Sequence, residues 1–501
     1  MEYITDKQEA AKIDIISINE IGIPSMVLME KAAMKVVKCI KDITGEAKSR
    51  FRILSVCGTG NNGGDGVAVA RLLKEEGYNI SVFLTGNQEK CSEEMRQQKD
   101  IAANLDVCFC TEPSWNEYDI IIDAVFGIGL SREITGEYAK IIESVNASQA
   151  VVVAVDIPSG ICASTGRILG CAVKADYTVT FGTNKMGLVL FPGAGYAGKV
   201  LVEDIGFPKK AEKMVKPAAY TYKKEDLELL IPDRRSRTNK GDYGKVLVIA
   251  GSDSMSGACF FTAKASYRMG CGLVRILTSS KNTDILKIKL PEAIVGSYEN
   301  GIDEALGWAD VIVAGPGLGT DDTAYKIMSS VLECKDKPVI IDADGLNTVA
   351  KYKERFSDTS NYKYPFEIVD RKNIVITPHL KEMSRLTGKE VSEIKEDMVN
   401  TALLTENSSV VVLKDARTVV SDGKEIFINT AGNNALATGG SGDVLCGIIA
   451  GLVAQNMTIF EAAKLGVYIH ALTAESYSAR NNRYTMLASD IIEELQYILP
   501  Y

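Results

Sequence analysis

Short runs dominated by valine and isoleucine recur along this chain, with helical periodicity between them. FRILSV, NISVFL, YDIIIDAVF, AVVVAVDIP, YTVTF and KVLVEDI mark the first half, and VAVARLLKEEG and EYAKIIESVN lie among them. Strand then helix, repeated, dictates an α/β fold in which a mostly parallel sheet carries helices on both faces. A second series, KVLVIAGSDS, LVRILTS, ADVIVAGPGLG, KPVIIDADG, NIVITPH and SSVVVLKD, repeats the pattern. A hairpin-like TVVSDGKEIFI, turning at Asp422-Gly423, follows it, and helices rich in Ala and Gly close the chain. Two such series in 501 residues exceed one ordinary core, so two three-layer αβα domains are expected. Between Gly206 and about Asp242 the pattern dissolves into a charged, proline-punctuated stretch. The boundary is placed there, with residues 1–210 and 225–499 as domains and 211–240 as the linker region.

Composition narrows the chemistry. The balance of 56 Lys+Arg against 65 Asp+Glu, a formal net charge of −9, gives no electrostatic footprint for nucleic acid or an anionic membrane. No run reaches the ~18 apolar residues of a membrane span, and the charged start lacks the apolar core of a signal peptide. Eleven cysteines without a C-x-x-C pair point to reduced thiols in a cytoplasmic protein. With only His379 and His470 available, carboxylates must carry most acid–base work.

The stretch CGTGNNGGDG, residues 57–66, contains G-x-G-x-x-G after a strand. A redox Rossmann site wants an acid at the end of the second strand to hold a ribose, and NISVFLTGNQ supplies none. What remains is a loop with close backbone approach, a helix start for an anion, and carboxamides able to ligate a hard cation. Asn61, Asn62 and Asp65 alternatively cap the following helix. Two further strand ends carry Asp123 in DAVFGIGLSRE and Asp156 with Ser159 in AVDIPSG, and open parallel sheets bind ligands at such ends.

With PSMVLMEKAA, GTGNNGGDGVAVARLL, DAVFGIGLSR, AVDIPSG and FGTNKMGLVLFPG together, residues 1–210 resemble the YjeF N-terminal family of NAD(P)H-hydrate epimerases. The resemblance implies a Rossmann-like domain and a potassium ion held by Asn62, Asp123 and Ser159. It also implies a hydrated dinucleotide along Asn61, Asn62, Gly63, Gly64 and Asp65, along Gly127, Ile128, Gly129, Leu130, Ser131, Arg132 and Glu133, and at Asp156. Asp156 is the expected acid–base group, because these motifs offer no histidine.

The second half ends in NNALATGGSGDVLCGIIAGL, where a glycine turn meets a helix start and forms an anion nest beside Asp443. A carboxylate next to a phosphate suits a base that takes a hydroxyl proton as the hydroxyl attacks phosphorus; the bland alternative is a helix cap. Lys414 and Arg417 offer cations for a di- or triphosphate, or a solvated turn, and His379 faces ligand or caps LKEMSRLTG. With KGDYGKVLVIAGS, VAGPGLG, IDADGLN, TPHLKEMSRL and LKDARTVV, residues 225–499 resemble the ribokinase-like family, and within it the NAD(P)H-hydrate dehydratases. That resemblance implies ADP or ATP with magnesium, held by Lys414, Asp415, Ala416, Arg417, Thr418 and Gly442. It further implies hydrated NADH or NADPH on Gly317, His379 and Asp443, Asp443 as base, and a homo-oligomer. Together the halves imply a bifunctional repair enzyme; the alternative is a kinase of the pyridoxine or hydroxymethylpyrimidine type with an N-terminal nucleotide-binding module.

Overall fold

The computed structural model describes residues 1–234, 236–356 and 362–499. The chain divides into two compact units, Glu2–Ala219 and a second that begins at Tyr220.

In the first unit seven strands form one parallel sheet in the order Cys108–Cys110, Asn79–Leu84, Arg52–Cys57, Ile120–Ala124, Val151–Val155, Tyr177–Phe181, Lys199–Glu203. Alternate side chains feed the two faces. Ile53, Ile120 and Ile122 pack with the helices Ser25–Thr44, Asn61–Glu75 and Glu93–Asn104, whereas Leu54 and Ile121 pack with Gly136–Ala147. Covered on both sides, Ile120–Ala124 is buried throughout, which is why its sequence is an unbroken apolar run apart from Asp123. Strand order reverses between Arg52–Cys57 and Ile120–Ala124, and the crevice of an open α/β sheet lies at such a reversal. An additional helix, Lys7–Ile15, precedes the PSMVLMEKAA helix; Asp6 and Glu9 form a capping box at its start.

The second unit repeats the design. Seven parallel strands run Ile294–Ser297, Leu273–Thr278, Lys245–Ile249, Val311–Ala314, Val339–Ile341, Ile374–Ile376, Val410–Leu413, reversing between the third and fourth. The expected hairpin then adds Val419–Ser421 and Ile426–Ile428 antiparallel, with Gly423 at φ 88° in its turn. The small residues of the helix Ser441–Ala454 let it close on Ser256–Arg268: a Cβ on Gly447 would meet the Thr262 carbonyl oxygen at 2.2 Å.

The expected linker is folded instead. Residues 211–240 include most of the helix Lys209–Val215, the strand Ala219–Thr221 and the helix Leu227–Leu230. Tyr220, Tyr222 and Leu227 are buried in the core of the second unit. A three-residue strand surrounded by lysines leaves no apolar run to read, so the charged exposed face masks it. Arg235, in the same stretch, lies outside the described residues.

Candidate active sites

The first cleft grows from the strand Arg52–Cys57. Gly60 precedes the helix Asn61–Glu75 without a side-chain cap, so NNGGD is the opening of the helix rather than a loop, and Asp65, more than a turn in, is no cap. Glycine is required here: a Cβ on Gly58 would lie 2.1 Å from the Val125 carbonyl oxygen, and one on Gly63 would lie 1.9 Å from that of Gly58. Gly63 and Gly64 are consequently packed inward, away from the cleft lining.

Like Ser159, Asp123 is buried and lies outside the cleft lining. Its Oδ1 accepts from Ser159 Oγ at 2.6 Å and its Oδ2 from the Ser159 amide at 2.7 Å, while Ser159 Oγ accepts from the Phe126 amide at 2.8 Å. Burial pushes Asp123 up to about 6, against the pull of these hydrogen bonds. Asn62 stands beside Gly127, and its buried Nδ2 has no partner among the described residues.

Asp156 follows the strand Val151–Val155 in a left-handed conformation, φ 65°. Its Oδ1 accepts from Lys185 Nζ at 2.7 Å and Thr180 Oγ1 at 3.0 Å. Lys185 is buried and gives its remaining donors to Thr180 Oγ1 and the Phe181 carbonyl. The cleft, about 840 Å³, is lined by Asn61, Asn62, Asp65, Asp156 and residues 127–132, but also by Asp14 and Lys185, which the motifs did not single out as site residues. Glu133 is exposed and outside the lining. Burial, then the Asp156 charge, lifts Asp14 to about 6, with Lys185 opposing; burial, Asp156 and Asp14 hold Asp65 well above the carboxylate range.

The second site lies at the carboxyl ends of three neighbouring strands. Val339–Ile341 delivers Asp342, Ile374–Ile376 delivers His379, and Val410–Leu413 delivers Lys414. The Lys414 amide donates to the Pro378 carbonyl, which extends the pairing by a residue and lets Lys414 Nζ reach Asp342 Oδ1 at 2.8 Å. Cys446 Sγ donates to the other oxygen. Burial would raise Asp342, but Lys414 holds it below its ordinary value.

Onto this pair comes the glycine turn. Gly440, at φ 88°, precedes the helix Ser441–Ala454, and Asp443 is its third residue rather than its cap. A Cβ on Gly442 would sit 3.3 Å from Lys414 Nζ and 3.4 Å from Asp342 Oδ2, so the helix start rests against the ion pair. Burial and the Asp342 charge lift Asp443 to about 7, opposed by Lys414. His470 Nε2 lies 3.1 Å from Ser441 Oγ and fixes the turn; burial pushes this histidine down to about 4.

His379 is a cap: Nδ1 accepts from the Lys381 and Glu382 amides at 3.1 Å, and its own amide donates to Glu382. Gly317, at φ 59°, is buried against Ala258 and Met255. Residues 414–418 form a hairpin connection, with Asp415 and Ala416 exposed. Arg417 is no solvated turn residue: Nη1 donates to the Thr430 carbonyl at 3.0 Å, and its buried Nε has no partner among the described residues. Sequence reasoning missed Asp14, Lys185, Asp342, Cys446 and His470 as site components. Lys185 lies inside FGTNKMGLVLFPG and Asp342 inside IDADGLN, and the Asp6/Glu9 capping box signals the helix bearing Asp14.

A family model for NAD(P)H-hydrate dehydratase matches residues 246–497, and one for the YjeF-related protein N-terminus matches residues 25–187. A bifunctional NAD(P)H-hydrate repair enzyme of Moorella thermoacetica is 35% identical over 530 aligned positions, covering 99% of this chain and 96% of that one. A ribokinase-like superfamily protein of Enterococcus faecalis is 31% identical with a TM-score of 0.50, covering 56% of this chain and 95% of that one. A Bacillus subtilis ADP/ATP-dependent NAD(P)H-hydrate dehydratase, co-crystallised with ATP and magnesium, is 28% identical over 55% of this chain and 96% of its own, at a TM-score of 0.47. With both halves matched and the relative spanned almost end to end, the chain belongs to the family of bifunctional NAD(P)H-hydrate repair enzymes.

Proposed function

We propose that the two activities divide between the two units: the cleft around Asn62, Asp123 and Asp156 epimerises the R and S forms of hydrated NADH or NADPH, and the Asp443 site dehydrates the S form. The observation that carries the division is that each unit has its own convergent carboxylate site at a reversal of strand order or at neighbouring strand ends.

In the first site residues 127–132 with Asn61, Asn62 and Asp65 border the dinucleotide, and Asp156 moves the proton. A potassium ion would suit the oxygens of Asn62, Asp123 and Ser159, because that set is all oxygen and carries a single carboxylate. Bound there, it would supply fixed positive charge to an anionic substrate. In the second site Asp443 accepts the proton of the substrate hydroxyl as its oxygen bonds to the terminal phosphorus of ADP or ATP, whose bridging P–O bond breaks. The phosphorylated oxygen then leaves the ring carbon as inorganic phosphate, and loss of the neighbouring C–H proton restores the dihydronicotinamide. Lys414, Arg417 and the amide of Gly442 flank the nucleotide's phosphates, with Asp415, Ala416 and Thr418 from the same turn, and Gly317 and His379 border the hydrated ring. Magnesium, which keeps much of its water, would travel on those phosphates and neutralise them; among the described residues no group of three His, Cys, Asp or Glu side chains is placed to cage a metal.

Eleven unpaired cysteines support a reducing, cytoplasmic setting. Exposed Ile285, Ile288 and Ile294 support a homo-oligomer. No helix among the described residues is long and apolar enough to cross a membrane. The test is recovery of NADH from both epimers with magnesium, potassium and either nucleotide. Asp156→Asn should stop consumption after the S form and Asp443→Asn should stop it altogether; an Asp156→Asn protein epimerising at full rate removes that assignment.

A further inference from the structure

Hydration of a dihydronicotinamide ring places the hydroxyl on the carbon bonded to the ring nitrogen, because the enamine is protonated at its other carbon. The product is a carbinolamine. Inverting it needs no C–H cleavage: a base takes the hydroxyl proton, the C–O bond becomes a carbonyl, and the C–N bond breaks with its electron pair passing to nitrogen. An acid then protonates that nitrogen. Rotation about the adjacent C–C bond and the reverse steps return both protons to their donors and give the other epimer, with nothing oxidised or reduced. Such a cycle requires two proton-transferring groups in one cleft.

Asp156 supplies one. Lys185 and Thr180 anchor its Oδ1, while no hydrogen bond to Oδ2 is made among the described residues, so a residue that lines the cleft has one oxygen held and the other unengaged. Lys185 has all three donors engaged, on Asp156, Thr180 and the Phe181 carbonyl, so none remains for substrate. Resting on the epimerase assignment above, we infer that Asp14 is the second proton-transferring group of this cleft and that Lys185 is a positioning residue which aims the Asp156 carboxylate.

Asp14 lines the same cavity from the helix Lys7–Ile15, an element separate from every strand end of the sheet. Its own helix is held by Ile13, packed on Ala211 of the helix Lys209–Val215. The charges that act on Asp14 are Asp156 and Lys185, and Asp14 in turn acts on Asp65. Glu212 reaches the cavity from Lys209–Val215, Glu94 and Arg132 line it, and Lys12 on the same helix is exposed. Burial with Asp156 as neighbour lifts Asp14 to about 6, where it exchanges a proton readily. Asp65 is held well above the carboxylate range by burial, Asp156 and Asp14, without the influence of Lys185 that acts on Asp14.

The test uses the full chain and purified R and S epimers of hydrated NADH without nucleoside phosphate, so that dehydration is silent, with interconversion followed by chromatography from about pH 5 to 9. Dehydration of the S form, measured afterwards with ADP or ATP and magnesium, checks the second unit of each variant, and far-ultraviolet circular dichroism with thermal unfolding of the same samples checks the first. Asp14→Asn should slow interconversion about 100-fold and remove the loss of rate above about pH 6 from what remains. Lys185→Met should slow it roughly tenfold and carry the alkaline limb to higher pH, since Asp14 loses a neighbouring cation, and Lys185→Arg should restore part of each. Asp14→Asn at the wild-type rate, or slowed with an unchanged profile, overturns the assignment, as does loss of the alkaline limb in Asp65→Asn instead. A wild-type protein that leaves the epimers unconverted overturns the epimerase function itself.

Discussion

Both units contain a buried lysine–aspartate pair next to a carboxylate of raised pKa, but they use the pair in opposite ways. In the first, Lys185 and Asp156 lie 2.7 Å apart and the paired aspartate lines the cleft. In the second, Lys414 and Asp342 lie 2.8 Å apart, Asp342 is only 3% exposed, and the proposed base is Asp443, whose carboxylate makes no hydrogen bond among the described residues. An ion pair placed on the working group fixes its direction; one placed beneath it supplies a fixed field. Lys414 draws the Asp443 proton off while Asp342 holds it on, and the balance, after burial, sits near 7. A base tuned close to neutrality suits removal of an alcohol proton.

Breaking the second design gives the largest expected effect. Asp443→Asn should lower dehydration about 1,000-fold, with R and S epimers still interconverting, read by chromatography of the residual substrate. Lys414→Met would strand Asp342 as a buried, unpaired charge and cost about 3–5 kcal/mol in urea unfolding of the second unit. Lys185→Met should cost less, because Asp156 is 13% exposed at its cleft and water can reach it; equal losses would erase the distinction between the two pairs.

Acid sharpens the comparison further. Asp443 must be ionised to accept a proton, so dehydration should fall about tenfold per pH unit below about 7. Because the folded protein binds that proton more tightly than the unfolded chain, the same group favours folding below its ordinary 3.8 and loses that contribution as pH rises to about 7. Asp443→Asn should therefore be more stable than wild type at pH above about 7 in thermal unfolding, an inactive but firmer protein. The smallest effect is expected from Gly127→Ala, whose Cβ would press Asn62 Oδ1 at 3.1 Å. Potassium activation of epimerisation should weaken by roughly two- to fivefold, about 0.4–1 kcal/mol of displaced amide; a tenfold or larger change would mean the loop itself had moved.

The sequence by itself determined the two α/β series and the reversal-point motifs, and it put forward Asn62, Asp123, Asp156 and Asp443 as candidates for the chemistry. Each of these stands at a strand end or helix start, where local glycines and apolar runs announce the geometry within a few residues. Those same local signals misjudged the opening of the Asn61–Glu75 helix, because an inward-packed glycine and a loop glycine look alike until the opposing carbonyls of Gly58 and Val125 are known. Only the tertiary structure decided which charges meet. Lys185 and Asp156 are 29 residues apart, Lys414 and Asp342 are 72 apart, and Asp14 enters from a helix that precedes the entire sheet. A pKa depends on burial and on charges within a few ångströms, and those distances are set by how strands are ordered in a sheet, which no local pattern of residues encodes.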